Sequence, residues 1–429
     1  MSRAWLSLCV ALGSVGCSSL LGLGDFEDQQ DASAGGTSSG GGGVGGGSGG
    51  SSGAAGAAGS GGTPAVHCAP WNSVKQLVFQ FPANTQTESR IFGGPTVDHA
   101  LALTRVAGQW SARLITSQGP AEQTTFSDLE ADVATFNQAT VTLHGMVGDV
   151  PTSRPFTPQN NQLEPGVDVA LPTDPTCPEI MRNVFTVGDQ HVHYAAVCRN
   201  NPETFSRIYT ASSGAAGVTV VAEGAAGGYS NPEFKLQGIS VDDTGASVDA
   251  VIAAGDQLGS AMTYYLSGVG FVPAPLSPAL PGGGVAHVGA ASQAGTTPGF
   301  LLLVANVAVA PPSAALFAGV VTTPTDLDNL TKVDVELGTT LPAVGKMAHD
   351  QNYVWMPIAG GGTPEAKAIF LARGTGEFRG IPTLFTPETG ETVVGVQLAR
   401  IKELTGYVAL VTVQTATNIN IYSLRLACL

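Results

Sequence analysis

His191 and His193 stand two residues apart in VGDQHVHYAAV (187–197). On an extended strand, side chains at i and i+2 share a face, and two imidazoles so placed can ligate a metal. The spacing offers no third ligand, so His191 and His193 are the metal candidates and no metal or cofactor is assigned. One strand can equally carry two polar residues. The remaining histidines, His67, His99, His144, His287 and His349, are scattered and are expected at the surface or in turns.

Asp189, Asp243 and Asp350 recur in similar settings. They could be paired carboxylates for acid–base work or calcium ligands. An aspartate that returns at one repeat position more simply caps a turn by accepting backbone N–H bonds. GxSxG occurs only within the Gly/Ser tract, not in a strand–helix context, and no Walker loop or HExxH is present, so no catalytic residue is assigned. Trp110, Trp355, Tyr264 and Tyr265 could line a sugar-binding face, but the expectation is that they fill the core.

The elements that would position these groups are strands. Short runs rich in Val, Leu, Ile, Phe, Tyr and Thr, such as VTLHGMV (141–147), FLLLVANVAV (300–309) and GYVALVTV (406–413), alternate with Gly, Pro, Asn and Asp clusters. That pattern reads as β-strands with tight turns. With 57 Gly and only 12% charged residues in 429, a coiled coil, a mostly helical fold and a basic nucleic-acid binder are excluded. The net charge of −15 also opposes nucleic acid and anionic headgroups as partners.

Three segments align without gaps: 187–197, 242–252 (DDTGASVDAVI) and 349–359 (HDQNYVWMPIA). Their anchors, Asp189, Asp243 and Asp350, imply a period near 53 residues. Further steps land near residues 296, 403, 137 and 84, each at a polar turn entering a strand. Seven units of four short strands predict a β-propeller over 67–429. Packed β-sandwiches or a β-helix are the alternatives. The Asp–turn–aromatic pattern, best in Asp189 to Tyr194 and Asp350 to Trp355, resembles the degenerate blade motif of bacterial extracellular propeller proteins. SVDDTGAS (240–247) loosely resembles the Asp-box of sialidase-type propellers, with the glycine displaced and the aromatic missing.

Six cysteines are present. Cys9 lies in an N-terminal apolar stretch and Cys17 ends it, leaving Cys68, Cys177, Cys198 and Cys428. An even number in an exported chain predicts two disulfides, with three possible pairings. Cys68 opens the folded body and Cys428 nearly ends it, while Cys177 and Cys198 flank one strand-rich segment. The pairs Cys68–Cys428 and Cys177–Cys198 are therefore expected, the first closing a ring covalently.

Residues 1–16 (MSRAWLSLCVALGSVG) have a single Arg and a short apolar run, the layout of a secretory signal peptide. The approach to Cys17 resembles the lipobox of bacterial lipoproteins, with Ser14 where Leu is usual, and that resemblance implies lipidation of Cys17. An acidic spacer (17–31) leads into 32–66. Residues 32–62 hold 16 Gly, 7 Ser and 6 Ala and no charge, a composition that cannot bury a core and reads as a disordered tether. Cys-Ser-Ser, a GDFED segment and a Gly/Ser tract together resemble surface lipoproteins of myxobacterial type. The expectation is a lipid-anchored monomer at the bacterial cell envelope or outer membrane that binds a protein or glycan without catalysis. A hydrolase or lyase acting on a glycan from the same scaffold is the alternative, and a purely structural envelope protein a third.

Overall fold

The computed structural model describes residues 65–429 with short interruptions. Between 224 and 342 it describes strand backbones only. The signal, spacer and nearly all of the tether, with Cys17, lie outside the described residues. So do Asp189, Asp243 and the side chains of Tyr264, Tyr265 and His287.

The described chain is all-β, and its strands form seven antiparallel sheets in chain order. Sheet I is Glu88–Gly93, Ala100–Val106, Gln109–Thr116 and Gly119–Pro120, with Thr124–Phe126 also on the third strand. Sheet II is Leu129–Phe136, Val141–Val147, Val150–Gln159 and Gln162–Pro165, with Val169–Ala170 on its third strand. Sheet III is Ile180–Val187, Val192–Asn201, Thr204–Ser212 and Thr219–Glu223. Sheet IV spans Lys235–Asp242 to Gly270–Pro275, and sheet V Gly283–Ser292 to Thr331–Val333. Sheet VI is led by Pro342–Val344 and Ala348–His349, which pair with Tyr353–Gly360. Ala366–Ala372 follows, flanked by Phe378–Gly380 and Thr383–Phe385.

Sheet VII joins the two ends of the body. Thr392–Arg400, Gly406–Gln414 and Asn418–Cys428 are completed by Cys68–Pro70 and Gln76–Pro82, both antiparallel to Asn418–Cys428. The Cys68–Cys428 disulfide sits at the start of that pairing, across 360 residues. The Cys177–Cys198 disulfide ties the entry of sheet III to its second strand. Both expected pairs are present.

Leading strands lie beside one another in ring order. Glu88–Gly93 flanks both Thr392–Arg400 and Leu129–Phe136. Ile180–Val187 flanks Leu129–Phe136 and Lys235–Asp242, which in turn meets Gly283–Ser292. This is a β-propeller, with leading strands around the axis. Apolar side chains fill the seams between sheets. One cluster joins I to II (Phe92, Leu101, Leu143, Phe156), another VII to I (Phe79, Ile91, Val408, Ile421), a third II to III (Val133, Phe185, Tyr194) and a fourth VI to VII (Phe370, Val411, Leu426). Trp110 and Trp355 are among the most buried side chains, as expected of core residues.

Six of the seven turns located by the repeat fall between the first and second strands of a sheet. The unit placed near 84 is a correction. That segment links Pro82 to Glu88, and the corresponding turn of sheet I is at 94–99. The repeat misleads there because the residues before 84 belong to the closing sheet, so the first unit is short.

Candidate functional site

Register slips by one residue in the leading strands of sheets II, III, IV, V and VII. Such a bulge bends a strand and re-aims a side chain. In sheet II the extra residue is Asp132, between Ala131 and Val133. Its Oδ1 accepts a bond from Arg90 Nη1 of sheet I at 2.7 Å, and its Oδ2 accepts the Phe185 N–H of sheet III at 3.1 Å. One carboxylate thus ties three successive sheets. Arg90 also binds Glu88 at 2.7 Å and lies over the Trp110 ring.

Asp350 does comparable work between sheets VI and VII. Its Oδ1 accepts the N–H groups of Asn352 and Tyr353, both at 2.8 Å, the turn cap expected at this repeat position. Its Oδ2 accepts the Tyr407 hydroxyl at 2.7 Å and faces Arg400 Nε at 3.3 Å. Burial and the Asp350 carboxylate hold the Tyr407 phenol well above its ordinary range, so it stays a donor. Trp355 Nε1 donates to Leu398 O at 3.0 Å across the same seam.

At the axis, beside these ties, is a small cavity of ≈ 30 Å³, lined among others by Ile91, Phe92, Lys346, His349, Trp355 and Arg400. That is room for about two waters. Lys346 reaches from sheet VI to the Asp132 carbonyl of sheet II, 214 residues away, and its ammonium lies 5.2 Å from the Phe92 ring centroid. Its backbone N–H donates to Gln397 Oε1 at 2.7 Å.

The histidines depart from expectation. His191 sits in the turn before its strand, and His193 is buried within it. Their ring centroids are 6.4 Å apart. Gly214 packs against the His191 imidazole so closely that a Cβ would lie 2.4 Å from it. No group of three or more His, Cys, Asp or Glu gathers in metal-binding geometry among the described residues. The surface or turn placement expected of the others is overturned for two. His349 is buried at the axis and His144 inside sheet II. His144 Nε2 lies 2.9 Å from Thr135 Oγ1 and its Nδ1 2.7 Å from Ser153 Oγ, and burial pushes its pKa down to about 3. Burial, then the Arg373 charge, drives His349 in the same direction. Each lies on a face that its strand turns inward, which residue type alone does not reveal.

Sequence reasoning found Asp350 through the repeat and missed Asp132, Lys346, Arg400 and Arg90. Nothing in residue type marks a bulge or a reach across the axis.

No protein-family model matches the sequence, and no curated protein is significantly similar to it. Solved structures do align. The WD40 domain of SCAP from fission yeast is 8% identical, with TM-score 0.44 over 84% of this chain and 98% of that one. AofleA from Arthrobotrys oligospora is 10% identical, with TM-score 0.40 over 77% and 92%. Oligopeptidase B from Leishmania major is 11% identical, with TM-score 0.39 over 78% of this chain but only 46% of that one. Identities and scores this low assign no activity to the chain.

Proposed function

We propose that this chain is a seven-bladed, lipid-anchored extracytoplasmic propeller that binds a protein, glycan or envelope component without catalysis, as a monomer at the bacterial cell envelope. One blade per sheet is the simplest reading of seven antiparallel sheets. Two disulfides suit an oxidising compartment. The lipobox-like approach to Cys17 and the Gly/Ser tract supply an anchor and a tether.

The observation that carries the non-catalytic reading is the use made of the axial carboxylates. Asp132 and Asp350, next in sequence to the cavity-lining residues Val133 and His349, are each bonded on both oxygens to turns and neighbouring sheets. Groups locked into seams stiffen a ring and leave its loops to recognise a partner.

The test is to express the chain in a bacterium that lipidates exported proteins. Detergent-phase partitioning that disappears in Cys17→Ala supports the anchor, and partitioning unchanged by that substitution refutes it. Envelope glycans and proteins are then screened for saturable retention. Retention with no change in the ligand supports a binding module, while released product establishes the hydrolase or lyase alternative.

A further inference from the structure

The outermost strand of sheet VII, Cys68–Pro70, carries an exposed apolar face. His67 and Leu429 exchange two backbone hydrogen bonds at 2.8 and 2.9 Å, and the Trp71 N–H donates to the Arg425 carbonyl at 2.8 Å, so the pairing with Asn418–Cys428 runs one residue past each end of the strand. Side chains alternate across a strand. Leu426 and Cys428 point into the core between sheets VI and VII, and Cys68 packs against it. His67, Ala69, Trp71, Ala427 and Leu429 therefore share the opposite face. There Trp71 is 46% and Leu429 73% exposed, and Ala69 is exposed with them. Sheet I touches this face at Arg425, whose Nη2 donates to the Asp98 carbonyl at 2.5 Å. Trp110 and Trp355 are buried, which leaves Trp71 as the tryptophan at the surface of the described body. An indole offers an apolar ring and one N–H donor, a pairing suited to the boundary between hydrocarbon and water.

The course of the chain says what would cover this face. The 48 residues from Cys17 to Pro64 lead into the body immediately before the strand that bears it. At the scaling of a flexible Gly/Ser chain their root-mean-square reach is about 40 Å. On the lipid-anchor reading above, on which this inference rests, the exposed face lies where the tether attaches, always within reach of the bilayer. We propose that this face docks on the zwitterionic surface of that bilayer, with Trp71 and Leu429 entering the boundary between headgroups and acyl chains. A contact too weak to hold a free protein is sufficient for a tethered one, because the tether supplies the effective concentration. The net charge of −15 opposes an anionic surface. The Cys68–Cys428 bond fixes the docking strand to the body, so the ring rests on the rim of sheet VII and turns its other sheets toward a partner.

The test uses the full chain with Trp5→Phe and Cys9→Ala, held through Cys17 on phosphatidylcholine vesicles. Its own lipid serves where the chain carries one, and otherwise the Cys17 thiol is coupled to a maleimide-bearing lipid. Docking is thereby tested whether or not the cell attaches an anchor, and failure of either reading is seen separately. Tryptophan emission is followed as phosphatidylcholine brominated near the headgroup end of its acyl chains replaces the ordinary lipid. The expected result is quenching of one part of the emission, with the buried Trp110 and Trp355 supplying an unquenched remainder. Trp71→Ser should abolish the quenching, and Leu429→Asp, which leaves the reporter in place, should make it at least threefold smaller. Replacing a third of the lipid by phosphatidylglycerol should weaken it further. Absent quenching, or quenching that survives Trp71→Ser, overturns the proposal. So does sedimentation of the untethered chain as a dimer that Trp71→Ser dissociates, since the occupant of the face would then be a second copy.

Discussion

The Asp350 carboxylate and the Tyr407 hydroxyl meet at 2.7 Å across the seam between two sheets, while the other Asp350 oxygen caps its own turn. A residue recognisable as a local turn former is thus also an inter-sheet tie. Removing the hydroxyl alone, in Tyr407→Phe, should cost roughly 1.5–3 kcal/mol, the range for a hydrogen bond to a charged group. Asp350→Ala, which also removes the cap, should cost roughly 3 kcal/mol. In denaturant unfolding the double variant should fall short of the sum by about 1 kcal/mol. Strict additivity would mean the two residues do not act as a pair.

The two disulfides should differ in weight. A cross-link stabilises mainly by restricting the unfolded chain, more so for longer loops. For separations of 360 and 21 residues, the loop model gives about 5–6 and about 3 kcal/mol. Cys68→Ala/Cys428→Ala should therefore lower the unfolding midpoint more than Cys177→Ala/Cys198→Ala. It should also expose the N-terminal strands to protease, since they hold the ring shut.

Acid should destabilise the protein before its carboxylates protonate. The folded pKa of His144 is depressed to about 3 by burial, so the unfolded state binds its proton first as pH falls below about 6.5. Stability from this group is complete above pH 6.5 and is lost progressively down to about 3, a total of roughly 5 kcal/mol. His349 is displaced in the same direction. The Asp128 carboxyl is held low by its bond from Arg154, so its contribution is lost only below the ordinary carboxylate range. His144→Gln should flatten the limb between pH 6.5 and 4. A native stability already flat there would refute the assignment.

Gly93 should not tolerate a side chain. A Cβ there would lie 2.1 Å from the Arg400 carbonyl oxygen, so sheets I and VII approach by backbone alone. Gly93→Ala should open that seam at a cost of roughly 2–4 kcal/mol. Gly108, in a hairpin turn with φ +83° and nothing near, carries only a backbone penalty, so Gly108→Ala should cost about 1–2 kcal/mol. Equal losses in urea unfolding would rule out the close approach as the cause.

The sequence by itself determined the features that live within a few residues. Alternating apolar runs between turn formers are sufficient to mark strands such as Val141–Val147 and Gly406–Gln414, because strand and turn preferences are local. A recurring turn exposed the period, and Asp350 could be assigned its cap because a side chain bonding two and three residues ahead needs no tertiary partner. The positions of Cys68 and Cys428 at the ends of the body pointed to their bond. The tertiary structure decided which polar groups meet. Asp132 reaches Arg90 and Phe185 because a one-residue bulge re-aims it, and residue type does not signal where register slips. His144 and His349 are buried because their strands turn those positions inward, against the expectation for histidine. Lys346 finds the Asp132 carbonyl from 214 residues away. That contact exists only once the ring has closed, since the free energy that holds a buried ammonium comes from groups assembled by the whole fold.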